Sequence, residues 1–281
     1  MARAEEGYWE SFDGTRLYTR TWWPKENPRA GVVLVHGAGE HCGRYEYVSS
    51  RLCGVGAAVF GFDLRGHGRS AGRRGHVQSF DEYVGDVSTI TQRAMAAVAG
   101  RPLFIYGHSM GGLVATLTAA RDQAPYRGLV LTSPLFAPAI TVPAFMRAAA
   151  VILNAVYPVA GIRSGIPAVF LSHDPQVGQS YDADPLVSHT VTPRWFFAMN
   201  RACAAAEKTA ANIRLPVLLL QAGDDHLVSA RQSRVVFDRF GSADKEFHVF
   251  DGLYHELHNE PVKDSILDLV TNWLEPRIRG E

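Results

Sequence analysis

The sequence of 281 residues contains little cysteine and has no excess of either charge. Its three cysteines, Cys42, Cys53 and Cys203, are an odd number without CxxC spacing, which argues against a disulfide framework and a zinc knuckle. We expect buried or incidental thiols. The 28 Lys and Arg residues balance 28 Asp and Glu residues, so the basic surface of a nucleic-acid-binding protein is missing and we expect no nucleic-acid partner.

The sequence also lacks the long apolar run of a membrane-spanning helix. Its most apolar stretch, residues 148–162, is shorter than the roughly 18 residues that a span needs, and it contains Asn154 and Pro158. The opening MARAEEGYWE carries acids where a secretion signal would need a basic start and an apolar run. We therefore expect a globular protein with a cytoplasmic location.

Apolar runs alternate with segments of helical periodicity along much of the chain. The predicted strands are residues 8–12, 16–22, 31–35, 57–62, 103–106, 128–132, 216–221 and 246–250. The predicted helices are residues 44–53, 80–98, 110–121, 229–240 and 262–274. Continuously apolar strands such as VVLV and VLLL are typical of strands covered on both faces. The pattern predicts an α/β fold, an eight-stranded and mostly parallel sheet with helices on both faces and the first hairpin as an antiparallel edge.

The alternation of strands and helices stops between residues 134 and 215. No strong strand pattern appears there, and prolines recur. We interpret residues 134–215 as an inserted helical cap, and residues 1–133 and 216–281 as the core. Within the cap, PAFMRAAAVILNAVYPV predicts a helix with a broad apolar face. That face is suited to the wall of an acyl tunnel, to contact with lipid aggregates or to the buried core of the cap.

The segment LFIYGHSMGGLVATLTAA places a serine between a strand and a helix. In GHSMG an apolar strand leads into Ser109 and a helical pattern follows at once. Such a turn strains the backbone at the serine, and Gly107 and Gly111 leave room for it. Ser109 would then lie at the carboxyl end of the sheet, where open α/β sheets bind ligands. We predict that Ser109 is a nucleophile; a glycine-rich turn with an incidental serine is the simpler alternative.

A serine nucleophile needs a base within hydrogen-bond reach and an acid that orients the base. The strand PVLLLQ is followed by AGDDHLV, and the strand EFHVF is followed by DGLYHELHNEP, which contains His255. The spacing to Val228 favours Asp225 as the acid, with Asp224 as a turn residue. Ser109, Asp225 and His255 then form the predicted catalytic triad, in the chain order of this fold class.

Acyl transfer also needs backbone donors that stabilise a negatively charged oxygen. The first should be the N–H of Met110, directly after the nucleophile. The second should come from the loop HGAGEH after the strand VVLV, where Gly37 and Gly39 let the backbone approach a ligand. We select Ala38 as this donor, with a plain glycine turn as the alternative interpretation of the loop.

Four strings, HGAGEHCGRY, FDLRGHGRSAG, YGHSMGG and GLYHELHNEP, resemble the monoacylglycerol lipase and lysophospholipase branch of the α/β-hydrolase superfamily. The resemblance spans nearly the whole chain and implies the same triad and the same oxyanion donors. It also implies a polar recess for the glycerol head, and the matching residues are Glu40, Arg44, Tyr181 and His258. A salt bridge between Glu40 and Arg44 that holds the loop, and a packing role for Tyr181, are the structural alternatives.

We therefore expect a serine hydrolase, without metal or cofactor, that cleaves a monoacylglycerol or a close single-chain lipid ester through an acyl-enzyme. A general carboxylesterase, a lysophospholipase or an aminopeptidase-like hydrolase, with Glu40 on the substrate amine, is the alternative enzyme. A hydrolase-like binding module without catalysis is the non-enzyme alternative. The partner is a small lipid ester, and we also consider transient contact of the cap with membranes or lipid aggregates. Acyl length, positional preference and oligomeric state stay open.

Overall fold

The computed structural model describes residues 3–139 and 143–280. Its strands are β1 (Arg3–Glu10), β2 (Arg16–Trp23), β3 (Ala30–Val35), β4 (Ala57–Phe62), β5 (Leu103–His108), β6 (Gly128–Thr132), β7 (Ile162–Arg163), β8 (Thr190–Val191), β9 (Val217–Ala222) and β10 (Lys245–Phe250). Its α-helices are α1 (Glu46–Gly54), α2 (Asp81–Val98), α3 (Met110–Arg121), α4 (Ala144–Val156), α5 (Pro175–Ala183), α6 (Pro193–Thr209), α7 (Ala230–Arg239) and α8 (Lys263–Arg279). The parts of the predicted core and cap at positions 1, 2, 140–142 and 281 lie outside the described residues.

Across the described ranges, eight strands form one sheet in the order β1-β2-β4-β3-β5-β6-β9-β10. The hairpin β1-β2 is antiparallel, β2 joins β4 antiparallel, and the other neighbours run parallel. The predicted mostly parallel sheet with an antiparallel edge is confirmed. The carboxyl ends of β3, β5, β9 and β10 therefore lie at the same edge of the sheet.

The inner strands are apolar throughout because both faces of the sheet are covered. On β3, Val33 and Val35 belong to one hydrophobic cluster, which also includes residues of α2 and α3. Val32 and Leu34 belong to a second cluster, which includes residues of α1 and α8. Successive side chains of a strand point to opposite faces, so each inner strand supplies both clusters.

Two of the sequence predictions missed the ends of elements. The first strand was predicted at residues 8–12 but pairs over Arg3–Glu10, and Phe12 lies in the turn with 61% of its surface exposed. Gly14, at φ +80°, lies in that turn, between the two predicted strands. The last helix continues past residue 274 and through Pro276, because Ile278 is buried against the second cluster.

The predicted insertion, residues 134–215 and called the insertion below, contains α4, α5, α6 and the two-residue strands β7 and β8, which pair antiparallel. The helix predicted from PAFMRAAAVILNAVYPV is confirmed as α4, whereas strands as short as β7 and β8 leave no periodicity to detect. Helix α6 contributes Trp195, Ala198 and Met199 to the cluster that includes α3. By contrast, Phe145 and Ile152 of α4 have exposed fractions of 74% and 66%. The boundaries of the predicted cap stay a prediction.

Helix α3 starts unusually close to the sheet because its first turn is rich in glycine. A Cβ atom on Gly111 would clash with the carbonyl oxygens of Val35 and His36, and a Cβ atom on Gly107 would lie 2.5 Å from the carbonyl oxygen of Gly111. Only glycine fits at these two positions without moving the backbone. Gly54, at the end of α1, has open space around the corresponding position.

We predict that Gly111→Ala lowers the free energy of unfolding by about 1–3 kcal/mol, as overpacking of a close contact does. Gly54→Ala serves as the matched control and should leave the stability unchanged or raise it by up to about 1 kcal/mol, because it only removes helix-destabilising glycine. Denaturant unfolding of both variants measures the effect. Equal stability of the two variants would contradict the close packing of α3.

Candidate active site

Ser109 lies on the turn between β5 and α3 in a strained backbone conformation. Its φ and ψ angles are +53° and −121°, a combination that residues other than glycine rarely adopt. The turn is held because the N–H of Ser109 donates to Thr132 and the Ser109 carbonyl accepts from the N–H groups of Gly112 and Leu135. The side chain is thereby fixed at the carboxyl edge of the sheet and is 8% exposed.

His255 and Asp225 meet at the same edge, after β10 and β9. The Nδ1 atom of His255 lies 2.8 Å from Oδ2 of Asp225, and the other carboxylate oxygen accepts from the N–H groups of Leu227 and Val228, each at 2.9 Å. Because Asp225 is an acceptor, Nδ1 of His255 carries the proton and Nε2 is left available as a base. The side chain of Asp224, by contrast, is 55% exposed.

Two opposing effects set the proton affinity of His255. Burial alone would lower the pKa of the imidazole, but the charge and the hydrogen bond of Asp225 outweigh burial and raise the pKa above its ordinary value. The charges of Glu256 and Glu40 act in the same direction. The imidazolium form is therefore stabilised at this position.

The structure brings the serine and the histidine into one cluster through His108. The ring of His108, the residue before Ser109, lies 4.8 Å from the ring of His255. The Ser109 hydroxyl makes no hydrogen bond within the part of the chain that the structure describes. Catalytic hydrogen bonds of this kind are often formed or tightened only when a substrate binds.

The predicted oxyanion loop, residues 36–40 and called the oxyanion loop below, packs against Ser109. A Cβ atom on Gly37 would lie 3.2 Å from Cβ of Ser109, so the neighbouring N–H of Ala38 is close to the nucleophile. Met110 is the first residue of α3, and the N–H groups of a first helical turn have no partner within the helix. Met110 thus follows Ser109 directly, and Ala38 follows the glycine that packs against Ser109; their role as oxyanion donors stays a prediction.

His36 fixes the orientation of the peptide that contains the Ala38 N–H. Its Nε2 accepts from the N–H of Leu64 at 2.9 Å, so Nδ1 carries the proton and donates to the Gly37 carbonyl at 2.8 Å. In a trans peptide, the Gly37 carbonyl and the Ala38 N–H point in opposite directions. Burial lowers the pKa of His36 to about 3, which keeps this donor neutral.

The four residues of the predicted glycerol recess lie together, but they differ in how they are bonded. Arg44 donates to Glu40 at 2.6 Å, and the Arg44 guanidinium lies 5.0 Å from the centroid of the Tyr181 ring. His258 stacks on Tyr45, whose hydroxyl donates to Glu40. Glu40 and Arg44 thus form the salt bridge that was the structural alternative to a contact with the glycerol head.

Tyr181 and His258 keep polar atoms without a protein partner. Both residues are 2% exposed or less, and neither the Tyr181 hydroxyl nor either ring nitrogen of His258 has a hydrogen-bond partner among the described residues. A Cβ atom on Gly39 would lie 3.2 Å from the Tyr181 hydroxyl oxygen, which places this hydroxyl beside the oxyanion loop. Burial lowers the pKa of His258 to about 4, so its imidazole is neutral near pH 7.

Part of the insertion is bonded to both loops of the site. The carbonyls of Phe170 and Leu171 accept from the N–H groups of His255 and Glu256, at 3.4 and 2.8 Å. On the other side, the N–H of Ser188 donates to the Gly39 carbonyl at 2.7 Å. This part of the insertion therefore holds the site together.

The sequence analysis missed three residues of this cluster: Tyr45, His108 and Glu256. Tyr45 and His108 lie in the motifs HGAGEHCGRY and YGHSMGG, directly beside predicted residues. Glu256 follows His255 and is 2% exposed. Its position next to His255 could have marked it as a candidate site residue. Its burial and its pairing with Arg44 could not be predicted, because they depend on a contact between distant segments.

The described residues contain neither a metal-binding cluster nor a helix that could span a membrane. No group of three or more His, Cys, Asp or Glu side chains is arranged there to hold a metal ion. No helix in the described ranges combines the length and the apolar character that a membrane crossing requires. The three cysteines are free, and Cys42 and Cys53 are buried.

The chain is similar to known hydrolases over most of its length. The Hydrolase_4 family model, described as serine aminopeptidase S33, matches residues 26–262. The chain is 35% identical over 262 residues to a monoacylglycerol lipase of Mycolicibacterium smegmatis, with 93% of each chain covered. It is 34% identical over 269 residues to the human monoglyceride lipase, with 94% of this chain and 88% of the relative covered.

A solved structure is similar over the same length. The monoacylglycerol lipase of Paleococcus ferrophilus has a TM-score of 0.84 at 32% identity, covering 93% of this chain and 99% of that chain. The α/β-hydrolase fold that the sequence resemblance implied is thereby confirmed.

We predict that Asp225→Asn slows the reaction of Ser109 with a fluorophosphonate by about 10,000-fold, because the amide no longer holds the required histidine tautomer. Asp224→Asn is the matched control and should react at the wild-type rate, since that side chain faces solvent. Mass spectrometry of the labelled protein over time gives both rates. If Asp224→Asn slowed the labelling and Asp225→Asn did not, Asp224 would be the acid of the triad instead of Asp225.

Proposed function

Because this chain belongs to the Hydrolase_4 (serine aminopeptidase S33) family and to the monoacylglycerol lipase branch of the α/β-hydrolases, we propose that it hydrolyses carboxylic esters of single-chain lipids, with monoacylglycerol as the substrate. The observation that supports this proposal most directly is the Asp225–His255 pair at the edge where the strained turn presents Ser109. The products are a fatty acid and glycerol.

In the proposed mechanism, Nε2 of His255 takes the proton of Ser109 while the serine oxygen bonds to the ester carbonyl carbon. The carbonyl oxygen becomes an oxyanion that accepts from the N–H groups of Ala38 and Met110. The intermediate then expels glycerol, whose oxygen receives the proton from His255, and an acyl-enzyme remains. Water attacks the acyl-enzyme with the same proton transfers in the second step, which releases the fatty acid and restores Ser109.

The charge of Asp225 makes His255 a stronger base and sets the pH dependence. Because its pKa is raised, His255 is protonated, and lost as a base, at a higher pH than a histidine with the ordinary pKa. The rate is therefore full above this pKa and falls as the pH decreases through it.

Tyr181 and His258 are the best-placed contacts for the glycerol hydroxyls. Their polar atoms are buried without a protein partner, and a buried polar group left unpaired is costly unless a ligand or water pairs it. Glu40 and Arg44 also line the recess, and their mutual hydrogen bond fixes its wall. A head group with free hydroxyls thus fits this recess better than a simple alkyl ester does.

The aminopeptidase alternative is weaker in this chain. It needs a free carboxylate for the substrate amine, and Glu40 was the residue suited to that role. Glu40 already accepts from the Gly37 N–H, the Tyr45 hydroxyl and the Arg44 guanidinium. Its capacity as an acceptor is therefore largely used within the protein.

The exposed face of α4 supports transient contact with a lipid surface, and the insertion then acts as a cap over the site. Phe145, Ile152 and Val156 have exposed fractions of 74%, 66% and 78%. No acidic residue occurs between Asp122 and Asp174, so this face carries no like charge that would repel anionic lipids. Contact between α4 and a bilayer would bring the substrate to the site, and the cytoplasmic location stays a prediction.

We predict that kcat/KM is higher for a monoacylglycerol than for the methyl ester of the same fatty acid, and that Tyr181→Phe reduces this ratio. The phenylalanine keeps the ring but removes the hydroxyl that would pair with glycerol. A hydrolysis panel in which acyl length and head group vary independently measures the ratio.

Ser109→Ala is the control for this panel and should lose about a million-fold in turnover, as removal of a triad nucleophile does. Near-normal hydrolysis by that variant would move the chemistry to another site. Equal kcat/KM for both head groups in the wild-type protein would contradict the glycerol recess.

We further predict that Phe145→Ser combined with Ile152→Ser weakens binding to vesicles of phosphatidylcholine and phosphatidylglycerol by at least about 10-fold, since each apolar side chain buried in lipid contributes about 1.5–3 kcal/mol. Co-sedimentation measures the binding. Val249→Ser removes an exposed apolar residue from β10 and is the matched control. If all variants bind as the wild type does, α4 is not the contact surface.

A further inference from the structure

An ionic bridge of three buried side chains, Glu40, Arg44 and Glu256, lies beside the triad. Arg44 donates two parallel hydrogen bonds to Glu256, at 2.6 and 2.8 Å, and one to Glu40 at 2.6 Å. The two carboxylates are 3% exposed and the guanidinium is 11% exposed. Asn259 also donates to Glu256 at 2.7 Å. Every carboxylate oxygen of the bridge therefore has a partner.

The ends of the ionic bridge reach the two loops that hold the reacting groups. At one end, Glu40 accepts from the N–H of Gly37 at 2.6 Å, in the oxyanion loop directly before Ala38. At the other end, Glu256 is bonded through the chain to His255, in the base loop, residues 251–260. Through these two carboxylates, the planar guanidinium of Arg44 links the oxyanion loop to the base loop.

Stability alone is a poor explanation for such a bridge. Burying an ion pair costs desolvation energy that the mutual attraction often only balances, and apolar side chains of similar volume serve a core equally well. Burial would raise the pKa of Glu256, but the Arg44 charge outweighs it and holds this pKa far below its usual range. Glu256 is therefore charged throughout the pH range in which His255 acts as a base.

We infer that Glu256 is a positioning residue of the proposed hydrolase: through Arg44 and Glu40 it fixes the base loop against the oxyanion loop, and its charge strengthens His255 as a base. This inference rests on the proposed function. Glu256 does not touch the reacting atoms. Its effect reaches them through the peptide next to His255 and through the electric field at the imidazole.

Several charged and titratable groups surround His255 and must be considered together. They are Asp225 after β9, His108 at the end of β5, Glu40 and Arg44 on the oxyanion side, and Glu256 and His258 in the base loop. His108 and His258 are buried and have lowered pKa values, so they are neutral when His255 titrates. Asp225 stays in place in any variant of Glu256. Removing the charge at position 256 therefore removes a single negative charge from the surroundings of His255.

The test compares the pH dependence of kcat/KM for a soluble short-chain ester in wild-type protein and Glu256→Gln. The amide keeps the volume but loses the charge, so the acid limb of the profile should move to lower pH. We also expect kcat to fall by about 10- to 100-fold, with KM little changed, because the base is held less accurately.

Glu260→Gln is the matched control. Glu260 is a buried carboxylate of the same loop, but it pairs with His173 and the N–H of Tyr254 instead of Arg44. Whatever its turnover, its acid limb should stay at the wild-type pH. A general loosening of the loop would affect both variants alike, whereas the loss of a charge that acts on His255 shifts the profile of Glu256→Gln alone.

An acid limb of Glu256→Gln that coincides with the wild type would overturn the inference. If that variant does not fold, Glu256→Asp decides: it keeps the charge but shortens the reach to Arg44, so kcat should fall while the acid limb stays in place. Wild-type turnover in Glu256→Asp would also overturn it. These outcomes leave the proposed function intact, because that function is tested separately: it fails if the wild-type protein does not hydrolyse monoacylglycerol, and its assignment to this site fails if hydrolysis persists in Ser109→Ala.

Discussion

The close approach of α3 to the sheet is the constraint on which the site depends. Because the first turn of this helix lies against the Val35 carbonyl, the chain must reverse within the residues around Ser109. The strained serine, its position above β5 and its proximity to the oxyanion loop all follow from that reversal. Gly107 and Gly111 therefore serve the same purpose, because both make room for this close contact between α3 and the sheet.

Much of this arrangement could be predicted from local patterns. The inner strands are buried on both faces, so their apolar runs marked them clearly, and the positions after them identified Ser109, Asp225 and His255. Local patterns failed where distant contacts decide. The first strand ends at a glycine turn, the pairing of β7 with β8 depends on residues far apart in the chain, and Glu256 is buried by an arginine that lies 212 positions away.

Among the titratable groups of the site, His255 is the one that gains and loses a proton in the proposed reaction, while the charges of Glu40 and Glu256 stay constant. Glu40 and Glu256 keep their charge because Arg44 pairs with them, while the neighbouring histidines stay neutral because burial disfavours their charged form. The proton equilibrium of one imidazole is thus separated from those of its neighbours. This separation is what allows three histidine rings to pack together without mutual repulsion.

The hydrogen bonds of Phe170, Leu171 and Ser188 to the two loops divide the insertion into parts with different freedom to change. Substitutions near these residues would disturb the geometry of the reacting groups, whereas α4 makes none of these hydrogen bonds and is exposed. Evolution can therefore alter the surface that selects and admits lipids while the chemical machinery is inherited unchanged. Chain-length preference is then free to differ between proteins that share the same reaction.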